Sequence, residues 1–292
     1  MEPEVVINVE HLTKDYGYGR GVFDVSIKVH KGECYGYLGP NGAGKSTTIR
    51  HIMGFSKTSV GKVQIYGQET FGNTENILEN VGYLPGEPAL PLYMNGWEFI
   101  HMMEEMRGNK NEEMLNHLID IFKFDPSMSI KEMSLGDKRK LAVVSAFMND
   151  PDVLVLDEPT SGLDPIMQNI FHNILLKEKE KGVTILYSSH ILSEVSSICD
   201  KVGFIKDGVI IKEDLINNIK KDNFTYLVIT SNEIDKIKEE LNLKIVKEEE
   251  NTVTFINDLD TNSLISKLSK YNIERLLIEE ISLEDLFINY YM

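Results

Sequence analysis

Short apolar runs broken by Gly, Pro and Asp set the first part of the chain. Val5-Val6-Ile7-Asn8-Val9 and Val25-Ser26-Ile27-Lys28-Val29 alternate as half-buried strands do, with the turn Gly17-Tyr18-Gly19-Arg20-Gly21 between them. Glu33-Cys34-Tyr35-Gly36-Tyr37-Leu38 is small and apolar enough for a buried strand, and residues 46–53 continue behind it as a helix. Residues 61–67 predict a strand that closes a small antiparallel layer, and Val81-Gly82-Tyr83-Leu84 a strand stopped by Pro85. The period then changes. From Trp97 to Asn149 the pattern is helical: Met114, Leu115, Leu118, Ile119 and Phe122 share one face, as do Leu141, Val144, Phe147 and Met148 before Pro151 ends the run. Two apolar strands, 152–158 and 183–187, follow, and 202–205 with 209–211 form a hairpin across Asp207-Gly208.

Composition shifts after Leu215. Asn217-Asn218-Ile219-Lys220-Lys221-Asp222-Asn223 reads as a linker. Beyond it the pattern runs strand (224–229), helix (234–241), two strands (243–247 and 252–256), helix (263–271) and strand (273–278), the order of a small α+β ferredoxin-like domain. Ser282 and Asp285 look like a capping box opening a helix over 283–290, and Glu248-Glu249-Glu250 like a solvated turn. The division expected is therefore a domain over 1–216 with a helical subdomain at about 93–150, a linker over 217–223, and an accessory domain over 224–292 that carries no catalytic constellation.

At 292 residues the chain is long enough for two such domains. No apolar run approaches the roughly 20 residues that span a bilayer, and Met1-Glu2-Pro3-Glu4 lacks the basic start of a signal peptide. A cytoplasmic protein is expected. The net charge of −16 disfavours nucleic acid and anionic lipid as partners, so any membrane contact is expected through another protein. Cys34 and Cys199 have neither metal-ligand spacing nor a disulfide framework and read as small core residues.

The chemistry is declared by Gly39-Pro40-Asn41-Gly42-Ala43-Gly44-Lys45-Ser46-Thr47, which fits G-x-x-x-x-G-K-[ST] between a predicted strand and a predicted helix. In such a loop the glycines let backbone N–H groups, from Asn41 and Gly42 through Gly44 to Thr47, turn inward around phosphate oxygens at a helix N-terminus. Lys45 reaches the β- and γ-phosphates and the Ser46 hydroxyl ligates Mg²⁺. Asp157 and Glu158 end the strand that begins at Asp152, the end at which a parallel sheet carries its ligand crevice. Asp157 is placed to hold Mg²⁺ through water and Glu158 to orient the water that attacks the γ-phosphate, the two pointing to opposite sides of an extended strand. His190, after the strand at 183–187, is a candidate γ-phosphate sensor, and Tyr16 a candidate ring for stacking on adenine.

Taken together, residues 5–215 resemble the ATP-binding subunit of an ABC transporter. Met133-Ser134-Leu135-Gly136-Asp137 stands where that family has Leu-Ser-Gly-Gly-Gln, and Asp157-Glu158-Pro159-Thr160-Ser161-Gly162-Leu163-Asp164 follows in the family's order. The resemblance implies a P-loop NTPase of the α/β class, with a RecA-like parallel core, an antiparallel β layer and a helical insertion. It implies ATP and Mg²⁺ as ligands, and a homodimer or heterodimer closing head to tail on two ATP molecules. Ser134 and Gly136 of one subunit would then meet the γ-phosphate held by the other, and Asp164 would cross the dimer. Tyr16 takes the adenine by the same analogy. The partner implied is a separate, ABC-2-like transmembrane permease, and the extra C-terminal domain resembles the subgroup that exports drugs, antibiotics or peptides. The subunit would sit peripherally on the inner face of the cell membrane, held there by the permease.

Two departures stand out. Leu135 and Asp137 replace a glycine and the glutamine of the signature, and Gly86-Glu87 stands after Tyr83-Leu84-Pro85 where the family has a glutamine touching Mg²⁺ and the permease. Glu87 is expected to substitute as a Mg²⁺ ligand. The competing readings are an ABC-type switch that regulates a membrane complex without moving substrate, and a small-molecule P-loop kinase, which leaves the signature and His190 without a task.

Overall fold

The alternation of the first thirty residues becomes an antiparallel pair, β1 (Val5–Asp15) and β2 (Gly21–His30), both longer than the strongest alternation marks. β3 (Cys34–Leu38) is buried at every position and leads through the Gly-rich loop into α1 (Lys45–Ile52). β4 (Val60–Ile65) returns beside β1, β5 (Gln68–Glu69) edges it, and the sheet reads β2-β1-β4-β5. After α2 (Thr74–Leu78) comes β6 (Val81–Leu84), and then the helical insertion of α3 (Gly96–Arg107), α4 (Glu112–Phe122) and α5 (Leu135–Phe147). The chain returns through β7 (Val153–Asp157), α6 (Pro165–Glu180), β8 (Thr184–Ser189) and α7 (Leu192–Ile198) to the hairpin β9 (Lys201–Lys206) and β10 (Val209–Leu215). The expected linker opens as a short helix, α8 (Ile216–Lys221). This computed structural model describes residues 3–108, 110–221, 225–257 and 259–280.

The second sheet runs β10-β9-β3-β8-β7-β6, parallel from β9 to β6 with β10 antiparallel at the edge. Its order places the C-terminal ends of β3, β8, β7 and β6 side by side. The Gly-rich loop, His190, the 157–158 carboxylates and the 85–87 loop all leave from those ends, so the topology gathers them before any side chain is considered.

α1, at eight residues, is too short to persist alone, and its stability comes from tertiary burial. Ile49 and Ile52 are fully buried in one core with Val6, Val9, Tyr35, Tyr37, Val153 and Leu186, residues of both sheets. Each such aliphatic side chain contributes about 1.5–3 kcal/mol by burial, more than an N-terminal cap would add. In the insertion, the buried Arg107 guanidinium of α3 donates through Nη1 to Ser145 O of α5 at 2.8 Å.

Chain contacts divide the molecule into two compact units, Met1–Ile216 and Asn217–Met292. In the second unit β11 (Thr225–Thr230), α9 (Ile234–Leu241), β12 (Lys244–Glu249), β13 (Thr252–Asn257), α10 (Thr261–Leu268) and β14 (Arg275–Glu280) follow in turn. The four strands are antiparallel throughout, in the order β12-β13-β11-β14. Ile237, Leu241 and Leu264 of the helices bury Leu227, Ile229, Val253 and Phe255. Glu248 and Glu249 end β12, exposed, and the turn itself falls at Glu250, with φ 39°. The capping pair at Ser282 and Asp285 and the helix expected over 283–290 lie outside the described residues.

Candidate functional site

The Gly-rich loop is shaped by contacts that only glycine permits. A Cβ at Gly39 would stand 2.3 Å from Ile205 O, and Gly44, with φ +109°, would press on Val22 at 2.7 Å. Gly44 caps α1 without a side-chain bond, and the N–H groups of Lys45, Ser46 and Thr47 donate no hydrogen bond among the described residues. Uncapped amides at a helix N-terminus, with no acid in the first turn, are a ready anion site. Lys45 is 5% exposed and arches over this loop, its Nζ donating to Gly39 O at 2.7 Å and Pro40 O at 3.2 Å. Asn41 and Ser46 are exposed beside it.

The two carboxylates take different surroundings. Asp157 is 4% exposed, and its Oδ1 accepts from Ser188 Oγ at 2.6 Å, across the pairing of β7 with β8. Glu158 has already left the strand: its φ is 46°, in the left-handed region a non-Gly residue enters only when its surroundings hold it there. The expectation of two acids diverging along an extended strand is corrected accordingly, because a backbone reversal turns Glu158. Its Oε2 accepts from His190 Nδ1 at 2.8 Å, and Lys45 Nζ stands 3.0 Å from its Oε1. That ammonium is out of line for a hydrogen bond, and Oε1 is buried with no donor. A carboxylate held from two sides, with one oxygen that accepts no hydrogen bond within the protein's described residues, is suited to take one from water.

The fit to a nucleotide and a hard cation follows from these donors. Free loop amides and Lys45 match phosphate oxygens. Among the described residues no three His, Cys, Asp or Glu side chains cluster to hold a metal. A cation here would take the Asp157 carboxylate and the Ser46 hydroxyl, with phosphate and water oxygens completing its shell, which is how Mg²⁺ is commonly held.

Other predicted site residues sit apart from this cluster in their bonding. Ser134 caps α5: its Oγ accepts from Asp137 N at 3.1 Å and donates to Asp137 Oδ2 at 2.7 Å. A Cβ at Gly136 would meet only Ser134 Oγ, at 3.7 Å, and Leu135 is 83% exposed. Asp164 caps α6, accepting from Ile166 N and Met167 N, both at 3.0 Å. Glu87 is exposed and bonds no described residue. Tyr16 is half exposed, with Lys14 Nζ 5.8 Å from its ring centroid.

Three participants escape a reading of motifs. Ser188 bonds Asp157 and also meets Glu158 N at 3.2 Å through Oγ. Glu194 gathers Thr160 Oγ1, Tyr187 OH and Ser189 Oγ on its carboxylate, tying the segment before His190 to the turn after Glu158. Arg139 reaches Glu158 O from α5 at 2.6 Å. Only the register of β7 with β8 carried a hint, for Ser188. Cys34 and Cys199, distant in sequence, are both buried with their Sγ atoms 3.5 Å apart.

Phosphate loop, lysine, paired acids and histidine at the ends of adjacent parallel strands define a P-loop ATPase. Residues 22–161 match the ABC transporter family. Over 228 residues the chain is 35% identical to the bacitracin transport ATP-binding protein BcrA of Bacillus licheniformis, spanning 76% of this chain and 74% of that one. It is 30% identical over 311 residues to the linearmycin resistance ATP-binding protein LnrL of Bacillus subtilis (strain 168), spanning 97% of each. A solved ATP-binding subunit of an ABC transporter superposes with a TM-score of 0.68 at 28% identity, over 74% of this chain and 92% of that one. The chain belongs to this family: it is an ATP-binding subunit of an ABC transporter, and an ATPase. Among the described residues no helix is long and apolar enough to cross a membrane.

Proposed function

We propose that this chain is the ATP-hydrolysing subunit of an antibiotic, drug or peptide exporter, closing in pairs on ATP to drive a separate, ABC-2-like permease. The hydrolytic part is carried by one observation, the Glu158 carboxylate set between Lys45 and His190 with its buried Oε1 accepting no hydrogen bond. Lys45 and the loop amides bind the β- and γ-phosphates, Glu158 orients the attacking water, and His190 holds Glu158 and senses the γ-phosphate. Mg²⁺, held by Asp157 and Ser46, supplies charge neutralisation at the phosphates. Among the described residues Glu87 has no partner that would compete for a cation or a permease side chain.

Pairing of two chains is supported by the caps at Ser134 and Asp164. Both lie at exposed helix starts and bond no residue of the phosphate loop in their own chain, as surfaces completing a second copy's site would. Tyr16 stacks on adenine in this reading. Export is supported by the bacitracin transport and linearmycin resistance for which BcrA and LnrL are named, and the strand order and two helices of the second unit support a ferredoxin-like accessory domain. The chain would then act on the cytoplasmic face of the membrane, bound there through the permease. Affinity purification from native membranes should retain a polytopic membrane protein that raises ATP turnover several-fold. Recovery of no such protein, with the chain alone already at full turnover, would contradict the export assignment.

A further inference from the structure

Arg139 is 3% exposed and lies in the second turn of α5. Its guanidinium donates to four main-chain carbonyls: Nη1 to Pro85 O at 2.5 Å and Gly86 O at 3.0 Å, Nη2 to Glu158 O at 2.6 Å, and Nε to Pro159 O at 3.3 Å. No carboxylate forms an ion pair with it among the described residues. Burial pulls its pKa down to about 10, so it remains charged at neutral pH, with Asp157 and Glu158 favouring the cation. An apolar side chain would fill the same space without desolvating a charge. Packing alone therefore does not account for an arginine here.

The four acceptors belong to two loops that leave neighbouring strands, β6 and β7. One is the 85–87 loop, and the other is the strained turn at Glu158. The amide of Glu158 is held by Ser188 O and Oγ, each at 3.2 Å, and its carbonyl by Arg139, so the left-handed residue is fixed on both sides. We propose that Arg139 is a positioning residue: it locks the backbone of Glu158 to the 85–87 loop, keeps the carboxylate aimed between Lys45 and His190, and passes displacement of that loop to it. The inference rests on Glu158 being the water-orienting residue. A lysine could not replace it, because one ammonium cannot reach acceptors spread over two loops as a planar fork of three nitrogens does.

The test compares R139K and R139Q with wild type and E158Q in the full chain, reading the thermal melt, KM for ATP and kcat. R139K should melt cooperatively, hold KM within about twofold because the phosphate loop is untouched, and lose about tenfold in kcat; R139Q should lose at least as much. Wild-type kcat in R139K below its melting transition overturns the proposal. So does a parallel loss of KM and kcat, or the absence of a cooperative melt in both variants, which would assign Arg139 to folding. E158Q separates the two ideas: if it turns over at the wild-type rate, the role of Glu158 fails, whereas an inactive E158Q beside a fully active R139K sinks only the positioning role.

Discussion

Glu158 shows how much of a site can depend on one residue's backbone. Its side chain was legible from the sequence, as the second acid after an apolar strand, but its φ of 46° was not, since propensity disfavours that conformation and tertiary bonds impose it. The phosphate loop was readable because its chemistry is local: glycine spacing, lysine and hydroxyl lie within nine residues. Ser188, Glu194 and Arg139 were not, because the partners that tie them to Asp157, to Thr160 and to the Pro85 and Glu158 carbonyls are 19 to 54 residues away, at distances fixed only by sheet order and helix packing. Ser188 offers a direct prediction. S188A removes the donor to Asp157 Oδ1 and one of two acceptors for Glu158 N, leaving a buried carboxylate oxygen unpaired, a loss of about 1–3 kcal/mol. If Asp157 helps hold the cation, a Mg²⁺ titration of ATP turnover should show the apparent affinity about tenfold weaker, the usual scale for losing a residue that orients a ligand. An unchanged titration would remove Asp157 from the metal site.

At the scale of elements, periodicity located most strands and the helical insertion but passed over α2, α6 and α7, and the limits of the helices were set by capping chemistry. α3 begins at a full capping box in which Glu98 N donates to Asn95 Oδ1 at 2.9 Å and Asn95 N to Glu98 Oε2 at 2.8 Å. N95A should cost about 1 kcal/mol. In a unit of this size that lowers the melting temperature by about 2–4 °C, readable in a thermal melt. In the second unit Asp260 caps α10, and the hydroxyl and amide of Ser263 hold its carboxyl below the usual carboxylate range. A depressed folded value means that this stabilisation is present above the unfolded pKa of about 3.9 and is lost as the pH falls from there through the folded value. D260N keeps a capping oxygen without titrating, so its melting temperature should fall less steeply with acid than wild type. Equal slopes would mean that the cap does not contribute to the acid transition. α8 was read as linker because its polar sequence lacks a helical stripe. Its buried Ile216 and Ile219 are too few to register as a period.

Across the whole molecule, one sheet edge collects the chemistry that the sequence distributes over 150 residues, from Gly39 to His190. The resemblance carried by Ser134, Gly136 and Asp164 gave the family, and the comparisons agree with it over most of the chain. Ser134 and Asp164 are sound helix caps within their own chain, so the task that the resemblance gives them does not show in their bonding. Their reading as parts of another copy's site depends on a closed pair. The measurement that tests this most directly is the mass of E158Q by light scattering with ATP and Mg²⁺, alongside its turnover. Twice the chain mass with ATP, the chain mass with ADP, and turnover reduced at least a hundredfold are the predicted results. A single-chain mass with ATP and wild-type hydrolysis would contradict the account.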